Sequence, residues 1–224
     1  MNILCLDLLG KQPQASDRNY PVQGLLATER GPVYIEGPVE AGRLEELDFS
    51  DCLTNFRPAP QQKKALVTLS GDPDGTVYIV RFENTVIGYA TFHDPDFPWW
   101  RNTGIAELVE LGGLEIARPW RGVGVAKALF QALFCNEQFP YFEDKIVMNI
   151  QTIYCWDLDC SAETTWQYRN MMKTMLEKFD FFVQFTDDPE VREHPANMLM
   201  VRIGRNTSKQ SREAFASKCV SRNC

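Results

Sequence analysis

The stretch "ELGGLEIARPWRGVGVAKALF" (residues 110–130) decides how the chain is read. It joins a strand-like apolar run to a helix-like one across a corner that contains Gly122 and Gly124. Glycine at such a corner has two uses. It can simply let the chain turn, or it can bring the first amides of the following helix up to an anion. Those amides lack intrahelical partners, and the helix dipole favours phosphate there. Two familiar phosphate motifs fail. A Walker loop needs Gly-Lys-Ser/Thr, but Lys127 follows Ala126 and precedes Ala128; a dinucleotide fingerprint needs a third glycine where Lys127 stands. What remains is an R-x-x-G-x-A pattern, Arg121 to Ala126, opening a helix whose Val125, Leu129 and Leu133 form one apolar stripe. Glycine spacing alone leaves the plain corner and the anion cradle both open.

Working outward, short apolar runs alternate with helical patterns. "PVYIEG" (32–37) reads as a strand and "EAGRLEEL" (40–47) as a short helix. "ALVTLS" (65–70), "TVYIVRF" (76–82) and "VIGYATF" (86–92) read as strands, as does "KIVMNIQTI" (145–153). "AELVELGGLEI" (106–116) is a further strand, and Gly112 and Gly113 inside it mark a bulge or a close approach of something to the backbone. "AETTWQYRNMMKTMLEKF" (162–179) sets Thr165, Tyr168, Met172, Met175 and Phe179 on one helical face, with Ser161 as the expected N-cap. "FFVQF" (181–185) and "NMLMVRI" (197–203) close the pattern as strands. The order predicts an α/β or α+β fold with a mixed, mostly antiparallel sheet and few helices, without the regular alternation of a doubly wound fold. Residues 1–28 and 205–224 are polar and weakly patterned and are expected as flexible tails around one domain, 29–204.

Composition narrows the function classes. Hydrophobic residues are 44% and charged residues 24% of 224, the balance of a globular chain with enough core to fold without disulfides. The net charge of -7 argues against nucleic acid or an anionic membrane as the main partner. The apolar start is short, interrupted by Asp7 and preceded by no basic residue, unlike a secretory signal. Seven irregularly spaced cysteines and only two histidines, His93 and His194, give no metal-ligand spacing; the expectation is free thiols, no metal and a cytoplasmic setting.

Taken as a whole, "ELGGLEIARPWRGVGVAKALF" resembles the acetyl-CoA-binding core of the GNAT superfamily of N-acetyltransferases. In that superfamily a Q/R-x-x-G-x-G/A loop follows a bulged, splayed central strand. "YIEGPV", "LDF", "ELGGLEIA", "WDL", "WQYRNMM", "TDDPE" and "HPANMLMVRIG" further resemble, in order and spacing, the acetoin-utilisation family within it. The resemblance implies acetyl-CoA as donor and a lysine of acetyl-CoA synthetase as acceptor, with inactivation of the synthetase as the outcome.

Acyl transfer to an amine needs the thioester held, its carbonyl polarised, and an ammonium of ordinary pKa about 10.4 deprotonated. The resemblance assigns the pyrophosphate to the amides of Gly122, Val123, Gly124, Val125 and Ala126, with Arg121 adding charge. It assigns the pantetheine arm to the backbone of Leu114 and Ile116, where an amide also polarises the carbonyl. Glu110 occupies the superfamily's general-base position. Glu107 and Glu115 are rivals, although strand alternation turns Glu115 away from Glu110. Relatives often place an acid tyrosine in "LYEKLGF"; the matching "MLEKFDF" (175–181) has Leu176 there. Tyr168, Tyr154 and water remain as proton sources for the thiolate. "PWW" (98–100) reads as a packing loop or a channel wall. "HPAN" (194–197) reads as a rigid turn or a recognition element, and "TDDPE" (186–190) as a solvated loop or a partner contact. Two other functions stay open: the same chemistry on a small or N-terminal amine, and a non-catalytic acyl-CoA-binding module.

Overall fold

A computed structural model describes residues 22–158 and 164–220. The chain divides into two compact units: Met1–Phe92 with Gly113–Tyr141, and His93–Gly112 with Phe142–Cys224.

The first unit contains β1 (Val22–Thr28), β2 (Gly31–Gly37), α1 (Ala41–Glu46), β3 (Asp48–Phe49), α2 (Ala59–Ser70), β4 (Thr76–Phe82) and β5 (Thr85–His93, its last residue belonging to the other unit). The later half of β6 (Leu108–Ile116) and helix α3 (Val125–Phe134) complete it. β1, β2, β4 and β5 pair antiparallel in that order, and β3 adds a short parallel pairing to β5. Every residue of β5 from Val86 to Phe92 is buried, as expected of a strand covered on both faces. In α3, Val125, Leu129 and Leu133 are buried as their spacing predicts, and Phe134 meets Phe92 edge-on at 6.2 Å.

Two expectations are corrected here. "ALVTLS" is the second half of α2, not a strand. Six apolar-leaning residues do not separate the two periods, and the upstream "QQKKA" favours helix, so that Ala59, Gln62 and Leu66 form the buried face. Residues 22–28, assigned to a tail, form β1, which pairs with β2 along its whole length.

The second unit contains the first half of β6, β7 (Ile146–Gln151), α4 (Thr165–Glu177), β8 (Phe182–Gln184), α5 (Pro189–Arg192), β9 (Met198–Ile203) and α6 (Lys209–Cys219). β7–β9 and β9–β8 are antiparallel, whereas β6 and β7 run parallel and pair only at Leu108–Glu110. Beyond Glu110 the two strands part, and the Asn149 side chain donates to the Leu111 carbonyl at 2.7 Å where the ladder ends. This is the splay expected of the central strand, and β6 runs unbroken through Gly112 and Gly113.

α4 forms as predicted, with Thr164 as its N-cap, whose side chain shares a capping box with Gln167; Ser161 lies outside the described residues. The sequence from 205 onward, expected as a tail, instead forms α6 over Lys209–Cys219. Its weak pattern hides two anchors: Phe215 stacks on Trp100 at 5.3 Å and Cys219 is fully buried beside it in the core. No helix among the described residues is long and apolar enough to cross a membrane.

Candidate active site

The loop of the first unit is built from β6 outward. The Ala117 amide donates to Ile87, and a short 3-10 turn at Arg118–Trp120 tucks Trp120 against Phe82 at 5.0 Å. The Nε of Arg121 donates to the Ile116 carbonyl at 2.8 Å, tying the loop back to the end of the strand. Gly122 (φ +78) and Gly124 (φ +90) both lie in the left-handed region, so glycine is required at each. Space above Gly122 is open: a Cβ there would meet nothing within 4 Å. Gly124 is the N-cap of α3, makes no side-chain cap, and its carbonyl takes the first helical bond from Ala128. Two left-handed glycines before an uncapped helix make a concave run of backbone amides suited to an anion.

Leu114 is half-buried. Ile116 is buried, and its carbonyl is engaged by Arg121. Glu115 accepts from the Asn55 amide (2.8 Å) and the Tyr89 hydroxyl (2.7 Å). It is a buried anchor for the first unit, held by partners of that unit. Burial first, and then the Glu115 charge, holds the Tyr89 hydroxyl far above the ordinary tyrosine range.

The second unit holds a buried carboxylate, Glu110. Glu110 is 3% exposed, and its Oε2 accepts one long hydrogen bond, 3.4 Å, from the Asp96 amide. Burial pushes its carboxyl up to about 8, and the Asp96, Asp188 and Glu190 charges push the same way, against the Asp96 amide. His93, at the end of β5, joins this carboxylate. A ring nitrogen of His93, an oxygen of Asp96 and an oxygen of Glu110 lie within 4.8 Å of one another. That is close enough to be bridged by one water or one cation. The Nδ1 of His93 lies 2.7 Å from the Asp94 carbonyl. Gly112 is the floor of this arrangement: a Cβ there would sit 2.0 Å from the His93 Nε2.

The other candidates have structural partners. Glu107 accepts from the amide (2.8 Å) and hydroxyl (3.1 Å) of Ser208, the N-cap of α6. Tyr168 lies on the half-buried face of α4, its ring stacked on Trp156 at 5.4 Å. Trp156 donates to Gln151, Gln151 to Asn149, and Asn149 to Leu111, a buried relay that ends beside Glu110 in the chain. Tyr154 is exposed and donates to Glu193 at 3.3 Å. Leu176 is fully buried.

In "TDDPE", Asp188 is not solvated: it is 0% exposed, accepts from Trp100 Nε1 at 2.7 Å, and caps α5. In "HPAN", the His194 ring accepts from the Ala196 amide, while Asn197 accepts from Ile153 and donates to Glu190. Both motifs therefore hold Asp188 and Glu190, whose charges act on Glu110. The sequence reading missed His93 and Asn149. The available signal for His93 was Gly112, read as a close approach without identifying what approaches.

The comparisons with known proteins identify the class of the chain as an acetyltransferase. The model of the Acetyltransferase (GNAT) family matches residues 43–138, and the chain belongs to the family of acetoin utilization proteins. Within it, the chain is 39% identical over 191 residues to the acetoin utilization protein AcuA of Bacillus licheniformis, covering 85% of this chain and 90% of that protein. It is 38% identical over the same coverage to the AcuA of Bacillus subtilis. The crystal structure of an acetoin utilization protein from Exiguobacterium sibiricum superposes with a TM-score of 0.83 at 31% identity, covering 91% of this chain and 97% of that one.

Proposed function

We propose that this enzyme transfers the acetyl group of acetyl-CoA to a lysine of a protein, that the protein is acetyl-CoA synthetase, and that the transfer switches the synthetase off in acetoin and acetate metabolism. The likeness to proteins named for acetoin utilization supports the metabolic setting. The observation that carries the chemistry is Glu110, a carboxylate buried among Asp96, Asp188 and Glu190. Such surroundings attract a cationic ammonium and hold a proton acceptor at a pKa matched to neutral pH.

In this mechanism the amides of Gly122–Ala126 seat the pyrophosphate of the donor and Arg121 braces the loop. β6 carries both remaining functions along one strand, with Leu114 presenting backbone to the pantetheine arm and Glu110 serving as base. Glu110 takes a proton from the acceptor ammonium, and the amine lone pair attacks the thioester carbon. A backbone amide stabilises the oxyanion, and the C–S bond breaks as the intermediate collapses and its nitrogen loses a second proton to water. The thiolate then takes a proton from Tyr168 or from water.

The test is to incubate the protein with acetyl-CoA and purified acetyl-CoA synthetase, assay the synthetase, and map acetyl-lysines by mass spectrometry. The expected result is time-dependent inactivation that follows acetylation of one lysine. Full synthetase activity after prolonged incubation would sink the assignment.

A further inference from the structure

Glu110, once it has taken the acceptor's proton, is almost closed off from solvent, and each turnover must clear that proton before the next. We propose that His93 is the exit: a positioning residue that passes the proton from Glu110 to water, an inference that rests on Glu110 being the base.

Four observations support it. His93 is half-buried, so its ring bridges the closed carboxylate and the surface. Its nearest ring nitrogen lies within 4.8 Å of the Glu110 oxygen, a span closed by a small rotation or by one water. The Asp94 carbonyl, 2.7 Å from Nδ1, can only accept, so Nδ1 carries the proton and Nε2 presents a lone pair. Finally, Gly112 has no Cβ where one would lie 2.0 Å from Nε2, so the strand itself makes room for the ring. The charged groups around the pair are Asp94 and Asp96 beside His93 in the chain and Asp188 and Glu190 near Glu110. All four are acidic.

The proton balance is complete. The acceptor ammonium loses two protons as its N–H bonds are replaced by the new C–N bond. One reaches Glu110, passes to His93 Nε2 and leaves to water as Nε2 regains its lone pair. The second is lost to water as the intermediate collapses, and the departing thiolate takes one proton back from water, directly or through Tyr168, so that one proton is released net. No oxidant or further reactant is needed.

The experiment measures kcat in dilute buffer with acetyl-CoA synthetase as acceptor, with and without added imidazole. His93→Ala should lose at least roughly tenfold in kcat, with unchanged acetyl-CoA affinity by calorimetry, and imidazole should restore most of the loss while leaving the wild type unaffected. His93→Gln, which keeps the bond to the Asp94 carbonyl but cannot cycle a proton, should show the same loss and serves if the alanine variant does not fold. Gly112→Ala should slow the wild type comparably and add nothing in the His93→Ala background. A wild-type kcat for His93→Ala in dilute buffer, or a loss that imidazole does not restore, overturns the proposal. Glu110→Gln separates the two readings. If it turns over normally, the base assignment itself fails; if it is inactive while His93→Ala is normal, only the relay fails.

Discussion

The pH dependence of transfer follows from the surroundings of Glu110. Burial, reinforced by Asp96, Asp188 and Glu190, places its carboxyl at about 8, so the working, ionised base is the minority form at pH 7 and the majority at pH 9. At pH 7 roughly a tenth is ionised and at pH 9 roughly nine-tenths, so kcat/KM should rise roughly tenfold over that span. The fall beyond it belongs to the acceptor lysine near 10.4, giving a bell-shaped profile. The assay is release of CoA thiol at several acceptor concentrations from pH 6 to 10.5. Glu110→Gln should lose about 10²–10⁴-fold at the optimum and lose the rising limb with it. A stability control checks the same group. Its pKa is raised on folding, so the stability tied to the neutral carboxyl is complete below the ordinary glutamate value of 4.5 and is lost as pH rises through about 8. Glu110→Gln cannot ionise, so its stability should gain on the wild type's between about pH 4.5 and 8 and keep that gain above pH 8. A wild-type profile flat between pH 7 and 9, or a rising limb that survives in Glu110→Gln, refutes the assignment.

Three further outcomes follow from the structure. Gly124→Ala forces a side chain into the left-handed region at a cost of about 1–2 kcal/mol, and should weaken acetyl-CoA binding in calorimetry more than it lowers Tm. Glu143→Ala strands Arg202, buried in the second unit against Glu143 and the Phe142 carbonyl; it should cost about 3–5 kcal/mol by urea denaturation, with a smaller loss for an exposed pair such as Arg192–Asp187. Phe215→Ala removes the ring stacked on Trp100 and should cost about 3–5 kcal/mol, whereas a dispensable tail would leave Tm unchanged.

Much of this was legible from residue types and spacing. β2, β4, β5, β7 and β9 have the alternation or continuous apolar runs of strands, α3 and α4 have a helical stripe, and the two loop glycines sit at positive φ as an anion cradle requires. α2 was misread because its apolar half is too short to show a period. α6 was missed because two buried residues, Phe215 and Cys219, anchor a helix that is otherwise polar. The pairing of Glu110 with His93 was hidden for a different reason. It joins residues on two strands, and its only local trace is a glycine, Gly112, whose missing side chain makes room for the ring of His93, far from it in the chain. Likewise, Asn149 looks like any polar residue in a strand until the ladder beside it ends.

The most direct test of the central claim counts both products of one reaction: CoA thiol released and acetyl-lysine formed on acetyl-CoA synthetase, for the wild type and for Glu110→Gln. The account predicts equal amounts of the two for the wild type and almost none of either for the variant, with acetyl-CoA still bound. Thiol released without matching acetyl-lysine, or equal transfer by the variant, would contradict it.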